Sequence, residues 1–401
     1  METGRSGAGN APWIWALLAV LMVASWQALT VQANYAGNWT GLFRVGATMP
    51  EPEKLAAGTF RNPHPSGYDG QFYRLLAHDP FLREGTAAYL DSPVRRARRI
   101  LIPMMAWALG LGQTGLIDYA YILLILASIF GGVYFLGRVM VWEGLPAPLG
   151  LLFLAAPATL VGMDTLTVDV SLAALTACFL WQSLTGRERG LWVTLAAAGL
   201  IRETGLLLVV SCALAALLRR EFRKAFVWAS AALPAALWYG YAQLAVPRSG
   251  WSHALVPRWM LPKAQLGFLA RALDPPAYPQ LGGALEQAVR ALDVLALLAM
   301  GVAAALALLR LRTWRPAAPE AALGLYAALL LGISNIDFWT TPYGYSRPFA
   351  PLFVLLLAGD VRRRSRRAWV CAAGACALVD VRVAAEMKTQ AAGVLRWLGI
   401  G

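Results

Sequence analysis

The sequence predicts an all-α polytopic membrane protein, one integral domain over residues 1–401, and three observations carry that prediction. Of the 401 residues 58% are hydrophobic and only 14% charged, with a positive mean hydropathy, proportions far from those of a soluble domain. Many of the apolar residues fall into runs near the ~20 residues a helix needs to cross the hydrocarbon core. The basic residues, which give a net charge of +13, stand in short clusters at the ends of those runs, where membrane topology places them. A bilayer is therefore the expected partner, and no nucleic acid is expected. Four cysteines, Cys178, Cys212, Cys371 and Cys376, lie inside apolar runs without a C-x-x-C pair, so neither a metal knuckle nor a disulfide framework is implied.

The first span is expected over Pro12 to Val31, behind Arg5. Val31-Gln32-Ala33 resembles a small-residue cleavage site, but the apolar part exceeds a usual signal-peptide core, so the span is expected to be uncleaved. Residues 32–115, rich in Pro and Gly, form an extracytoplasmic loop rather than a span. Within it Ile100 to Gly112 is apolar but too short to cross and is expected to lie at the interface. Further spans are expected at Leu116 to Gly137, Ala147 to Gly162, Leu166 to Leu184, Leu191 to Leu218 and Ala225 to Val246. After an outer loop over 247–291, the C-terminal spans of 292–383 follow: Leu292 to Leu311, Ala321 to Ile333, Pro348 to Ala358 and Ala368 to Val383.

Charge decides how these are counted. Arg138; Arg187 and Arg189; Arg219, Arg220, Arg223 and Lys224; Arg310, Arg312 and Arg315; and Arg362, Arg363, Arg364, Arg366 and Arg367 all belong on the cytoplasmic face by the positive-inside rule. That is met if the run 191–218, interrupted by Arg202-Glu203-Thr204-Gly205, is a broken pair crossing twice, because those charges would be costly in the middle of one helix. About eleven transmembrane helices result, with the C-terminus outside. The unusual polar residues then face outward, so any chemistry is extracytoplasmic.

In the first outer loop, Phe72, Leu75 and Leu76 recur at helical spacing opposite Gln71, Arg74 and His78, which predicts a short amphipathic helix in the membrane interface. Asp69 stands just before it. Two roles are open to Asp69: capping the helix, or acting as a general base between Gly67 and Gly70, which would let a substrate approach the backbone.

The order of these parts, with Gly67-Tyr68-Asp69-Gly70-Gln71-Phe72-Tyr73, Arg98-Arg99-Ile100-Leu101-Ile102-Pro103 and Arg202-Glu203-Thr204-Gly205, resembles the GT-C fold glycosyltransferases that use polyprenyl-phosphate-linked sugars, in a bacterial branch linked to cell-surface glycopolymers. The resemblance covers Pro12 to Leu218. It implies a GT-C-like bundle in the bacterial inner membrane that moves a sugar from a polyprenyl-phosphate donor to a glycan or lipid acceptor, with inversion. The family's paired acidic residues are a single Asp69 here, followed by Gly70.

Such a reaction needs a base for the acceptor hydroxyl, for which Asp69 is the candidate. It also needs cations for the leaving phosphate, and Arg202, Arg347, Arg98 and Arg99 are the candidates. Tyr68, Gln71, Asp164, Asp169, Glu203 and Tyr345 are the candidate substrate contacts. No cofactor is specified by the sequence, and a divalent cation on Asp69, Asp164 and His64 is left open. Lipid anchoring is the other reading of the cluster Arg95, Arg96, Arg98 and Arg99. The aromatic run from Asn335 to Arg347, like Trp251, His253 and Trp259, is expected to form an interfacial belt or a sugar-stacking wall. A transporter or flippase of lipid-linked saccharide, suggested by the broken helix pair, and a non-catalytic partner in envelope assembly are the competing functions. Gly110-Leu111-Gly112-Gln113-Thr114-Gly115 fits G-x-G-x-x-G, but no strand precedes it, so no dinucleotide site is expected. Asn38-Trp39-Thr40 fits a glycosylation acceptor and decides nothing about function.

Overall fold

The computed structural model describes residues 11–246, 266–312, 317–362 and 365–400. Trp251, His253, Trp259, Arg315, Arg363 and Arg364 lie outside the described residues. Within them every regular element is helical, and the nearest approach to a sheet is one isolated bridge between Gly46 and Asn62.

Helix α1 (Pro12–Asn34) begins on a proline, which suits the first turn because its missing N–H has no helical acceptor to lose. The outer loop carries α2 (Glu53–Ala56), α3 (Gly70–His78), α4 (Pro93–Ala97) and α5 (Leu101–Leu109). Helix α6 (Thr114–Trp142) returns beside α1, and Pro12 lies against Gly137 near its far end. The expected span from Ala147 to Gly162 is broken: a 3₁₀ segment, Ala147–Ala155, meets α7 (Pro157–Thr165) at 66°, with Pro157 starting the second piece. Helix α8 (Asp169–Thr185) descends again.

The pair α9 (Glu188–Ile201) and α10 (Leu206–Leu218) forms the hairpin that the charges at 202–205 predict. A 3₁₀ turn, Glu203–Gly205, closes it, and Gly205 is needed because a Cβ there would strike the Ala198 carbonyl. At the open end the Lys224 amine lies 3.6 Å from the Glu188 carboxylate, so both limbs start from one level. The expected helix from Ala225 to Val246 is split at Pro234 into α11 (Phe222–Ser230) and α12 (Leu233–Ala245). It climbs back to the first loop, where Trp238 Nε1 donates to the Ala97 carbonyl (2.7 Å) and the Tyr241 hydroxyl to that of Phe81 (2.6 Å).

After α13 (Gly267–Leu273), helix α14 (Gly283–Leu311) starts nine residues before the expected Leu292, which shortens the second outer loop. Helices α15 (Ala318–Gly332), α16 (Pro342–Ser346), α17 (Ala350–Arg362), α18 (Arg366–Glu386) and α19 (Lys388–Trp397) complete the chain. The last returns to α1, where the Asn34 amide donates to the Gln390 carbonyl (3.2 Å).

Basic clusters converge at one end: the guanidiniums of Arg138 and Arg187 lie over the same Trp181 ring, at 4.9 and 4.3 Å. Four helices, α1, α6, α14 and α18, are long and apolar enough to cross a bilayer alone, or five spans if the bent pair ending in α7 counts as one. Length alone therefore supports fewer spans than the expected eleven, because proline and charged breaks divide the others into pieces of 9 to 17 residues.

Candidate functional site

At the end opposite those clusters, charged side chains from five parts of the chain meet in the protein interior. Helix α3 starts the site. It was expected to float at the interface with a wet polar face, yet every residue of Gly70–His78 is buried. Its polar face is enclosed in ion pairs: Arg74 binds Asp118 (2.9 Å) and Glu51 (3.1 Å), and His78 Nε2 meets Asp118 (3.0 Å).

Two glycines make this packing possible. Gly67, with φ +59°, lies against the backbone of Arg44 and Gly46, and a Cβ at Gly70 would run into the carbonyls of Thr165 and Phe43. The close approach is therefore to the protein's own chain, not to a substrate as expected. Gly70→Ala is expected to destabilise the protein by about 1–3 kcal/mol, because the obstructing atoms are backbone that cannot rotate away; thermal unfolding in detergent measures it. Gln71 belongs to the same clasp: its amide donates to the Ser66 carbonyl (2.8 Å) and accepts from Gly46 N–H (3.1 Å). Both polar atoms are thus engaged by protein, against its expected substrate contact.

Asp69 makes no capping hydrogen bond. Its carboxylate accepts from Arg96 Nη2 and Arg347 Nη1, each at 2.8 Å. Arg347 also reaches Asp169 (3.4 Å), donates from Nε to the Tyr343 carbonyl (2.6 Å), and lies 5.0 Å over the Tyr68 ring. Asp169 is shared with Arg202 at the hairpin tip. Arg202 in turn faces the like charges of Arg99 and Arg347. Arg99 binds Glu203 (3.0 Å) and donates to the Tyr73 hydroxyl (3.0 Å). A continuous belt results: Arg96, Asp69, Arg347, Asp169 and Arg202, with Arg99, Glu203 and Tyr73 beside it.

Asp164 does not join the belt directly. Arg44 Nη2 donates to both Asp164 carboxylate oxygens (2.7 and 2.9 Å), and the Tyr343 hydroxyl donates to that carboxylate as well (2.8 Å). Tyr343 thus links the two groups, since its carbonyl binds Arg347. Arg44 and Leu166, which bracket this corner, both hold left-handed backbone (φ 55° and 50°), a costly conformation for residues with side chains.

Several expected residues go elsewhere. Tyr345 turns away from its neighbours Tyr343 and Arg347, toward a second buried group in which Arg382 binds Asp293 and Glu386, each at 2.6 Å. His64 is exposed, and its ring meets the Ser66 hydroxyl (3.2 Å). The expected cation set of Asp69, Asp164 and His64 is not assembled, because the two carboxylates are held by different arginines. Among the described residues no group of three His, Cys, Asp or Glu side chains is placed to hold a metal ion. Arg98 stacks on the Tyr239 ring at 5.6 Å, whereas its neighbour Arg96 makes the contact to Asp69. Trp339 is buried, stacked on Phe349 and bonded to the Ile333 carbonyl (3.2 Å), so this part of the aromatic run is core rather than belt.

The electrostatics of the belt follow from its geometry. Burial alone would raise the Asp69 carboxyl, yet the guanidiniums of Arg96 and Arg347 hold it well below the usual carboxylate range. Burial likewise opposes ionisation of Tyr73, but Arg99 and Arg96 bring that phenol below its ordinary value. A group whose folded value is depressed contributes stability above its unfolded value, about 3.9 for Asp, and loses it as pH falls through the folded value. Stability is therefore expected to stay level from neutral pH to about 4 and to fall below it. In Asp69→Asn, acid titration followed by thermal unfolding should show a shallower fall.

Sequence reasoning missed Arg44, Tyr73 and Tyr343. Tyr73 carried a signal, lying one turn from Asp69 in the singled-out motif, and Tyr343 is one turn from Arg347. Arg44 had none. Comparison with known protein families, curated proteins and solved structures finds no match to this chain.

Proposed function

We propose that the chain is an integral membrane glycosyltransferase that takes a sugar from a polyprenyl-phosphate donor and passes it to a cell-envelope acceptor, with inversion, on the outer face of a bacterial inner membrane. The observation that carries this reading is the buried belt. Four guanidiniums, Arg96, Arg99, Arg202 and Arg347, share the carboxylates of Asp69, Asp169 and Glu203, with the more exposed Asp91 as a further partner of Arg96, at the end of the molecule away from the basic clusters.

Crowded arginines in a low-dielectric site suit a leaving phosphate, which brings the negative charge that relieves their mutual repulsion. The acceptor oxygen bonds to the anomeric carbon, the bond from that carbon to the phosphate oxygen breaks, and the acceptor proton passes to a carboxylate. Asp69 is the proposed base, although its two salt bridges make it a poor one in the empty site. The donor phosphate removes that obstacle. By drawing Arg96 and Arg347 toward itself it withdraws the positive charge that depresses Asp69, so basicity rises when donor is bound. In the proposed GT-C-like bundle the hairpin of α9 and α10 supplies Arg202 and Glu203 from its tip.

The test is release of polyprenyl phosphate by purified protein in liposomes, supplied with polyprenyl-phosphate-linked hexose or pentose and an envelope glycan extract. Release that requires the protein and is lost in Arg202→Gln supports the proposal. No release from any of these donors, with intact folding, sinks it.

A further inference from the structure

We infer that the open end of the hairpin is a binding site for one anionic phospholipid of the leaflet on the basic side. The observation is a groove of about 630 Å³ between the first turns of α9 and α11, outside the belt and at the other end of the molecule. Its lining is layered as a lipid is. Arg189, Arg223 and Lys224, with the Lys224 partner Glu188, form its polar layer, one turn from Trp192, Val193, Val227 and Trp228. Val193 is 61% exposed and Val227 45%, so the apolar layer opens sideways toward the hydrocarbon rather than inward.

Charge selects the occupant. Lys224 is shared between Glu188 (3.6 Å) and Glu221 (3.4 Å), whereas Arg189 and Arg223 have no acidic partner among the described residues. Two guanidiniums above an apolar slot complement a phosphate headgroup carrying its own chain. Trp192 Nε1, bonded to Ser230 Oγ (3.1 Å), fixes α11 beside α9 and keeps the slot open. The volume lies in the range of sites that hold one ligand. A second cavity of about 240 Å³ shares Glu188, Lys224 and Trp228 with it and is lined by Cys212, Ala215 and Ala216 of α10, so a lipid seated between α9 and α11 lies next to the open end of the hairpin whose tip presents Arg202. The inference rests on the membrane reading of the helices and is independent of sugar transfer.

The experiment uses the full chain in neutral detergent, with dioleoylphosphatidylglycerol or dioleoylphosphatidylcholine added and binding read by native mass spectrometry and by the shift in melting temperature. The wild type is expected to retain one phosphatidylglycerol and to gain melting temperature from it, with no comparable gain from phosphatidylcholine. Arg189→Gln with Arg223→Gln is expected to weaken that binding by about 10- to 30-fold, the loss of two headgroup cations. Arg366→Gln with Arg367→Gln, in another basic cluster, should leave it unchanged. Val193→Trp, which fills the slot without altering charge, should displace the lipid as well. Equal retention of both lipids, or equal loss in both arginine pairs, overturns the site in favour of a diffuse surface charge.

Discussion

Asp69→Asn is expected to lower the turnover number of sugar transfer by about 10²- to 10⁴-fold, the range of a lost general base, while the KM for the lipid-linked donor stays level or falls. The split follows from the geometry. The amide cannot take a proton, but Arg96 and Arg347, each relieved of one carboxylate and keeping Asp91 and Asp169 respectively, remain available to phosphate. Steady-state kinetics in liposomes, normalised to folded protein, measure both constants. An unchanged turnover number would leave Asp69 as a counter-ion only, and a large rise in KM would place it in donor binding.

Arg347→Met is expected to cost about 1–3 kcal/mol of stability, because Asp169 in the interior and the partly buried Asp69 lose one shared cation while each keeps another, Arg202 and Arg96. The penalty is that of weakened charge compensation as well as of the missing contacts. Adding Asp169→Asn to the variant should therefore recover part of the loss, although that residue is also a partner of Arg202. Thermal unfolding of the wild type, the two single variants and the double variant measures the coupling. Strict additivity would show that Arg347 and Asp169 do not act on each other.

Much of the helical organisation was legible in the sequence, since apolar runs separated by clustered arginines leave few ways to thread the chain. Arg202 to Gly205 announced a turn because charge in mid-helix is costly, and the structure places a 3₁₀ turn there. Helix α3 was misjudged for a physical reason. Its alternation of apolar and polar faces describes amphipathicity, which fits a buried salt-bridge network as well as an interface. Only Asp118 and Glu51, distant in sequence, distinguish the two. Asp69 and Arg347 were legible singly, as charges bordering apolar runs. Their pairing across 278 positions was not, because it depends on how α3, α8 and α16 are brought together. Tyr345 shows the limit most simply: two residues from Arg347 on a helix is a different face, and it points to Arg382 instead.

The hairpin limbs have 14 and 13 residues, about 20 Å each at 1.5 Å per residue, against a hydrocarbon thickness of about 30 Å. Anchored at the basic level, they stop roughly 10 Å short of the far headgroups, a depth set by those two dimensions. In the proposed membrane placement the ionic centre is thus sunken. If the proposed sugar transfer holds, an isoprenoid carrier entering from the side would deliver its phosphate there without hauling its tail into water, and membranes thinner or thicker than usual are expected to alter throughput more than fold.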